Sequence, residues 1–143
     1  MPSIFFRVRS LAAAAIAVVA LALAPSHASA QPSGDPIKIG FSMALTGGLA
    51  GAGKAALIGM QIWAEDTNEA GGLLGRPVEL IYYDDHSNPS DVPGIYTKLI
   101  NVDQVDLVVS GYASNMIVPA MPIVMRRGMV FPALFGLGLN DQF

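Results

Sequence analysis

Three short stretches of this chain carry side chains that could do chemistry. Asp84-Asp85-His86 sets two carboxylates beside an imidazole, a trio that could ligate a metal or move protons. The plainer reading is a turn. Acids at the end of a strand commonly bond the backbone that follows, and Ser87-Asn88-Pro89 is turn composition. The chain has no Gly-x-Ser-x-Gly and no cysteine, so His86 has no nucleophile to serve as base. The sequence therefore predicts no catalytic residues, no metal site, no cofactor and no enzyme.

The second stretch, residues 48–54, fits Gly-x-x-x-x-Gly-Lys, the loop that cradles phosphates. Ala55 stands where a Ser or Thr hydroxyl should hold magnesium. The favoured reading is a glycine-rich loop whose backbone N–H groups line a pocket at a helix start, a geometry that attracts a carboxylate. The third stretch is Tyr112, Ser114 and Asn115, offering a ring, a hydroxyl and an amide. Ser114 could serve only as a helix cap. It could also cap and bind an anion at once.

Alternating elements must position these groups. Ile37, Ile39 and Phe41 at period two predict a strand over 37–43. A glycine-rich loop over 47–53 and a helix over 54–70 follow. In that helix Gln61, Glu65 and Glu69 form a wet stripe, with Met60, Trp63, Ala64 and Thr67 toward the other side. Gly71-Gly72 stops it. A second strand is expected over 78–83, then a helix over 92–102 capped by Ser90 or Asp91, with Pro93 in its first turn. A short buried strand over 107–110 leads to a third helix over 116–127, with Pro119 and Pro122 near its start. A fourth strand is expected over 129–131. Strands alternating with helices predict an α/β fold on a Rossmann-like parallel sheet, with ligands beyond the carboxyl ends of its strands.

The front of the chain predicts an exported protein. Arg7 and Arg9 precede 14 residues, 11–24, without a charge or a hydrogen-bonding side chain; Pro25 and Ala28-Ser29-Ala30 follow. Basic region, short apolar core and Ala-x-Ala site make a signal peptide over 1–30. A membrane span would need about 20 apolar residues. With no cysteine, the fold needs no disulfide outside the cytoplasm. The net charge is −3, and beyond the two leader arginines six bases face eleven acids. No basic patch exists to neutralise phosphates, so no nucleic acid is expected as partner.

Several of these residues together resemble one family. Ile37-Lys38-Ile39-Gly40, Leu45-Thr46-Gly47, Gly53, Asn68-Glu69-Ala70-Gly71-Gly72, Gly75, Tyr83-Asp84-Asp85, Pro89 and Lys98-Leu99-Ile100 follow in an order similar to the periplasmic leucine/isoleucine/valine-binding proteins. These are the solute receptors of ABC importers. The resemblance implies two Rossmann-like lobes that close on a solute. Residues 31–143 would supply part of the amino-terminal lobe, with the second lobe missing. It also implies a periplasmic carrier that delivers a branched-chain amino acid, or a related carboxylate or amide, to an inner-membrane ABC permease. A sensory domain and an exported α/β enzyme are the alternatives. The family pattern puts ligand contacts at Thr46, Gly47, Tyr112, Ser114 and Asn115, with Ser114 on the solute's α-carboxylate. It places further contacts at Ala133, Leu134 and Phe135, where this chain lacks the loop hydroxyl the family often has. That loss leaves room for a carboxylate with a larger apolar body.

Overall fold

The computed structural model describes residues 31–136; the expected signal peptide lies outside them. β1 (Ile37–Met43) is the central strand of a parallel sheet ordered β2-β1-β3. It pairs along its whole length with β2 (Val78–Asp84), from Ile37 opposite Val78 to Met43 opposite Asp84. On its other side Ile39 and Gly40 pair with β3 (Leu107–Val108). A central strand covered on both faces must be apolar nearly throughout, and all of β1 but Lys38 is buried.

The period-two pattern sorts β1 onto two layers. Ile37, Ile39, Phe41 and Met43 pack with Leu57, Met60 and Ala64 of helix α1 (Ala50–Glu69). The opposite face is covered by α2 (Val92–Asn101) and α3 (Ser114–Arg126), whose Tyr96, Leu99, Met116, Ala120 and Val124 form the other core with Val105 and Val108. The result is the expected α/β layering with a parallel sheet.

Several boundaries differ from expectation. α1 begins at Ala50, inside the stretch expected to be a loop. Close packing explains it: a Cβ on Gly53 would stand 2.0 Å from the Ala44 carbonyl oxygen, so the helix backbone lies directly on the end of β1. Trp63 was expected on the dry side of α1 and is 44% exposed, on a face that also exposes Ile58 and Ile62. Glu65 and Glu69 are exposed as expected, whereas Gln61 is half-buried, its amide donating to the Tyr82 hydroxyl at 3.4 Å.

Asp91 occupies the position before α2 but does not cap it; its carboxylate bonds His86 and Asn88 instead. α3 starts two residues early, which carries Pro119 and Pro122 into its interior. Each proline removes one intrahelical N–H donor. Residues 129–131 form no strand, and β3 ends at Val108. Pro132 has no N–H to extend a ladder, and one backbone hydrogen bond to its carbonyl with one through the Ser110 hydroxyl make the contact instead.

Candidate functional site

The candidate site lies beyond the carboxyl ends of β1, β2 and β3. Asp84, the last residue of β2, faces the chain that leaves β1. Its Oδ1 accepts hydrogen bonds from the backbone N–H of Leu45 at 3.0 Å, Thr46 at 3.2 Å and His86 at 2.8 Å. Its Oδ2 accepts from the Thr46 hydroxyl at 2.7 Å. Burial alone would raise this carboxyl. The hydrogen bonds from Thr46, His86 and Leu45 overcome that and hold its pKa at about 2.

Ser87 closes the same junction. Its hydroxyl donates to the Thr46 carbonyl at 2.7 Å and accepts from the Leu49 N–H at 3.0 Å. Gly47 fits between them with φ +80°, where a Cβ would be 2.5 Å from the His86 carbonyl oxygen. Thr46 and Gly47 thus sit at the strand ends as expected, with the Thr46 hydroxyl committed to Asp84. His86 lies outside the lock. Its Nδ1 is 3.2 Å from Asp91 and its ring is exposed. Among the described residues no group of three His, Cys, Asp or Glu could hold a metal ion.

The glycine-rich stretch is not a phosphate cradle. From Ala50 onward its N–H groups enter the helix, Gly53 N–H donating to Leu49 O at 2.9 Å. Lys54 projects from the exposed side of α1.

After β3 the chain runs through Val109 to the first turn of α3. Ala113 precedes that turn at φ 78°, ψ 143°, a conformation that costs a residue with a Cβ about 1–3 kcal/mol and that surrounding contacts must hold. Ser114 and Asn115 then open a 13-residue helix, whose Met116 and Ile117 N–H groups turn back to the Ala113 carbonyl at 3.0 and 3.2 Å and whose N-terminus carries the positive end of the dipole. This is the arrangement that favours a carboxylate.

The chain returns to this loop at Pro132. Ser110 N–H donates to the Pro132 carbonyl at 3.0 Å, and its hydroxyl accepts from the Leu134 N–H at 2.8 Å. Tyr112 and Phe135 form an isolated parallel bridge, with ring centroids 6.0 Å apart and planes inclined by 40°. Tyr112 and Phe135 are therefore brought together, beside exposed Ala133 and Leu134. The Leu134 N–H is taken up internally by Ser110.

Ser110 was missed by sequence reasoning. The available signal was a hydroxyl ending an otherwise apolar run, Leu107-Val108-Val109. A cavity of about 610 Å³ lies next to this corner, lined by apolar groups including Ile39, Met60, Trp63, Val109, Leu134 and Phe135. It occupies the α1 side of the sheet and includes none of Thr46, Ser114 or Asn115. No helix of the described residues is long and apolar enough to cross a membrane.

The chain is similar to known proteins in sequence and fold. A leucine-, isoleucine-, valine-, threonine- and alanine-binding protein of Pseudomonas aeruginosa is 32% identical over 111 residues, 78% of this chain and 29% of that protein. An amino acid binding protein of the same organism is 30% identical over 125 residues, 87% of this chain and 31% of its own length. The solved branched-chain amino acid transporter substrate binding protein of Streptococcus pneumoniae, in complex with isoleucine, superposes with a TM-score of 0.69 at 27% identity. That match covers 75% of this chain and 30% of the other. The chain thus spans under a third of the length of these relatives. The sequence pattern of periplasmic binding proteins matches residues 36–141, nearly all that the structure describes, and this chain belongs to the periplasmic binding protein family.

Proposed function

We propose that the protein captures a branched-chain amino acid, or a related carboxylate or amide, in the periplasm and delivers it to an ABC permease. It is a carrier and not an enzyme. The observation that carries this reading is the first turn of α3, headed by Ser114 and joined through Ser110 to the 132–135 segment at the strand ends. A carboxylate fits that turn. The apolar body of the solute fits against Tyr112 and Phe135. The names of the Pseudomonas and Streptococcus relatives support the solute class. The leader, cleaved after Ala30, directs the chain to the periplasm.

The test is a thermal-shift panel on the intact protein with leucine, isoleucine, valine, their amides and their deaminated carboxylates. A ligand present at 100 times its Kd stabilises a protein by about 2.7 kcal/mol, a shift easily read. At least one compound should raise Tm reproducibly. A flat response to every compound in the panel would overturn the reading.

A further inference from the structure

We propose that Tyr96 is a positioning residue for the site: its buried hydroxyl, backed by Ser42 and Asp85, sets the course of the chain from Val109 to Ser114. The proposal rests on reading that loop as the solute contact.

Tyr96 stands in α2 with no exposed surface, its ring edge-on to Phe131 at 5.5 Å. A buried phenol must find an acceptor. Tyr96 donates to the Val109 carbonyl at 2.6 Å, immediately beyond β3. Two residues on, Gly111 lies directly against β1; a Cβ there would stand 2.7 Å from both the Ser42 carbonyl oxygen and the Ser42 hydroxyl. Asp85 comes from the turn after β2, its Oδ1 accepting from the Ser87 N–H at 3.0 Å. The Ser42 hydroxyl lies beside this carboxyl without closing a hydrogen bond of normal geometry, so Ser42 Oγ and Asp85 Oδ2 remain buried without a partner.

The distribution of these groups is the argument. Among the described residues the fully buried polar ones are Ser42, Asp85 and Ser110. Ser110 belongs to the loop, Ser42 lies against Gly111, and Asp85 lies beside Ser42. Buried polar groups are costly and a core built for packing alone would use apolar residues here. Instead they gather behind one loop, the one that carries Ser114. Burial pushes the Asp85 carboxyl up, against the Ser87 and Ser42 hydrogen-bonding groups, and neighbouring Asp84 raises it further while His86 opposes. The groups that face it are Asp84, His86, Ser42 and Tyr96, and no Lys or Arg is among the causes. An amide, which keeps the shape of the side chain and an oxygen acceptor for the Ser87 N–H, is its conservative replacement.

Hydrogen exchange read by mass spectrometry on the intact protein tests this without any ligand. Tyr96→Phe keeps the ring and its packing. Amides of residues 109–116 should exchange about 5-fold faster, as loss of one hydrogen bond implies, while those of α1 stay unchanged. Asp85→Asn keeps the acceptor for the Ser87 N–H and the shape behind Ser42, and should exchange at wild-type rates throughout. Unchanged exchange at 109–116 in Tyr96→Phe, or an equal rise across the whole chain, would overturn the proposal, as would faster loop exchange in Asp85→Asn. A parallel titration with L-leucine keeps the two readings apart. Where the wild type binds leucine, Tyr96→Phe should weaken it about 5-fold with little change in Tm. Where wild-type protein binds none of it, leucine is not the solute and the exchange result still decides the role of Tyr96.

Discussion

Asp84 joins two strand ends through a single side chain. One carboxylate receives four hydrogen bonds and ties the exit of β1 to the exit of β2. Its folded pKa, about 2, lies below its ordinary 3.8. The unfolded chain therefore takes up the proton first as pH falls. The stabilisation is complete above about pH 4 and disappears between 3.8 and about 2. Urea unfolding across that range should show wild type losing about 2 kcal/mol more than Asp84→Asn, the equivalent of a shift of that size. Equal losses would refute the hub. The Asp-Asp turn was legible in the sequence, because acids at a strand end have few other uses. The difference between Asp84 and Asp85 was not. One is half-buried with its carboxyl held down by hydrogen bonds, the other enclosed with its carboxyl pushed up by burial, and only the packing around each decides which.

Among the elements, those with a full hydrophobic period were legible and those held by a single contact were not. β1 was readable from alternation, β2 from its apolar, partly β-branched run, and α2 from Pro93 in its first turn. The start of α1 was not, since glycines at 51 and 53 read as loop. The helix forms there because Gly53 lets it touch β1 at Ala44. Gly53→Ala replaces a poor helix former with a good one, so propensity alone predicts stabilisation of about 1 kcal/mol. The clash with the Ala44 carbonyl should win, because overpacking costs roughly 1–3 kcal/mol and this contact cannot be relieved by a side chain. A lower urea midpoint is expected; a higher one would show that α1 is not seated as described. The strand expected over 129–131 fails for a related reason. Its contact with the loop after β3 is one backbone hydrogen bond from Ser110 N–H to the Pro132 carbonyl, the isolated Tyr112–Phe135 bridge and the Ser110 hydroxyl on Leu134, and contacts that sparse have no period to read. Of the site, Ser114 and Tyr112 were legible as strand-end residues. Ser110 and Tyr96, which hold them, were not, because a buried hydroxyl looks like any other until its partner is known.

At the scale of the molecule, this chain spans under a third of the length of its relatives. Ile58, Ile62 and Trp63 leave an apolar stripe on α1, and the cavity beside Trp63 and Phe135 is lined by apolar groups. Binding by such a protein needs donors at the strand ends and nothing catalytic. The claim that α3 carries the solute's carboxylate is tested most directly by calorimetric titration. The intact protein, Ser114→Ala and Lys54→Ala would each be titrated with the compound that most raises wild-type Tm. A hydrogen bond to a charged group contributes about 1.5–3 kcal/mol, so Ser114→Ala should weaken binding about 10- to 150-fold. Lys54→Ala should bind as wild type does, since Lys54 is an exposed helix residue. Abolished binding in Lys54→Ala with undiminished binding in Ser114→Ala would contradict the account and move the site to the start of α1.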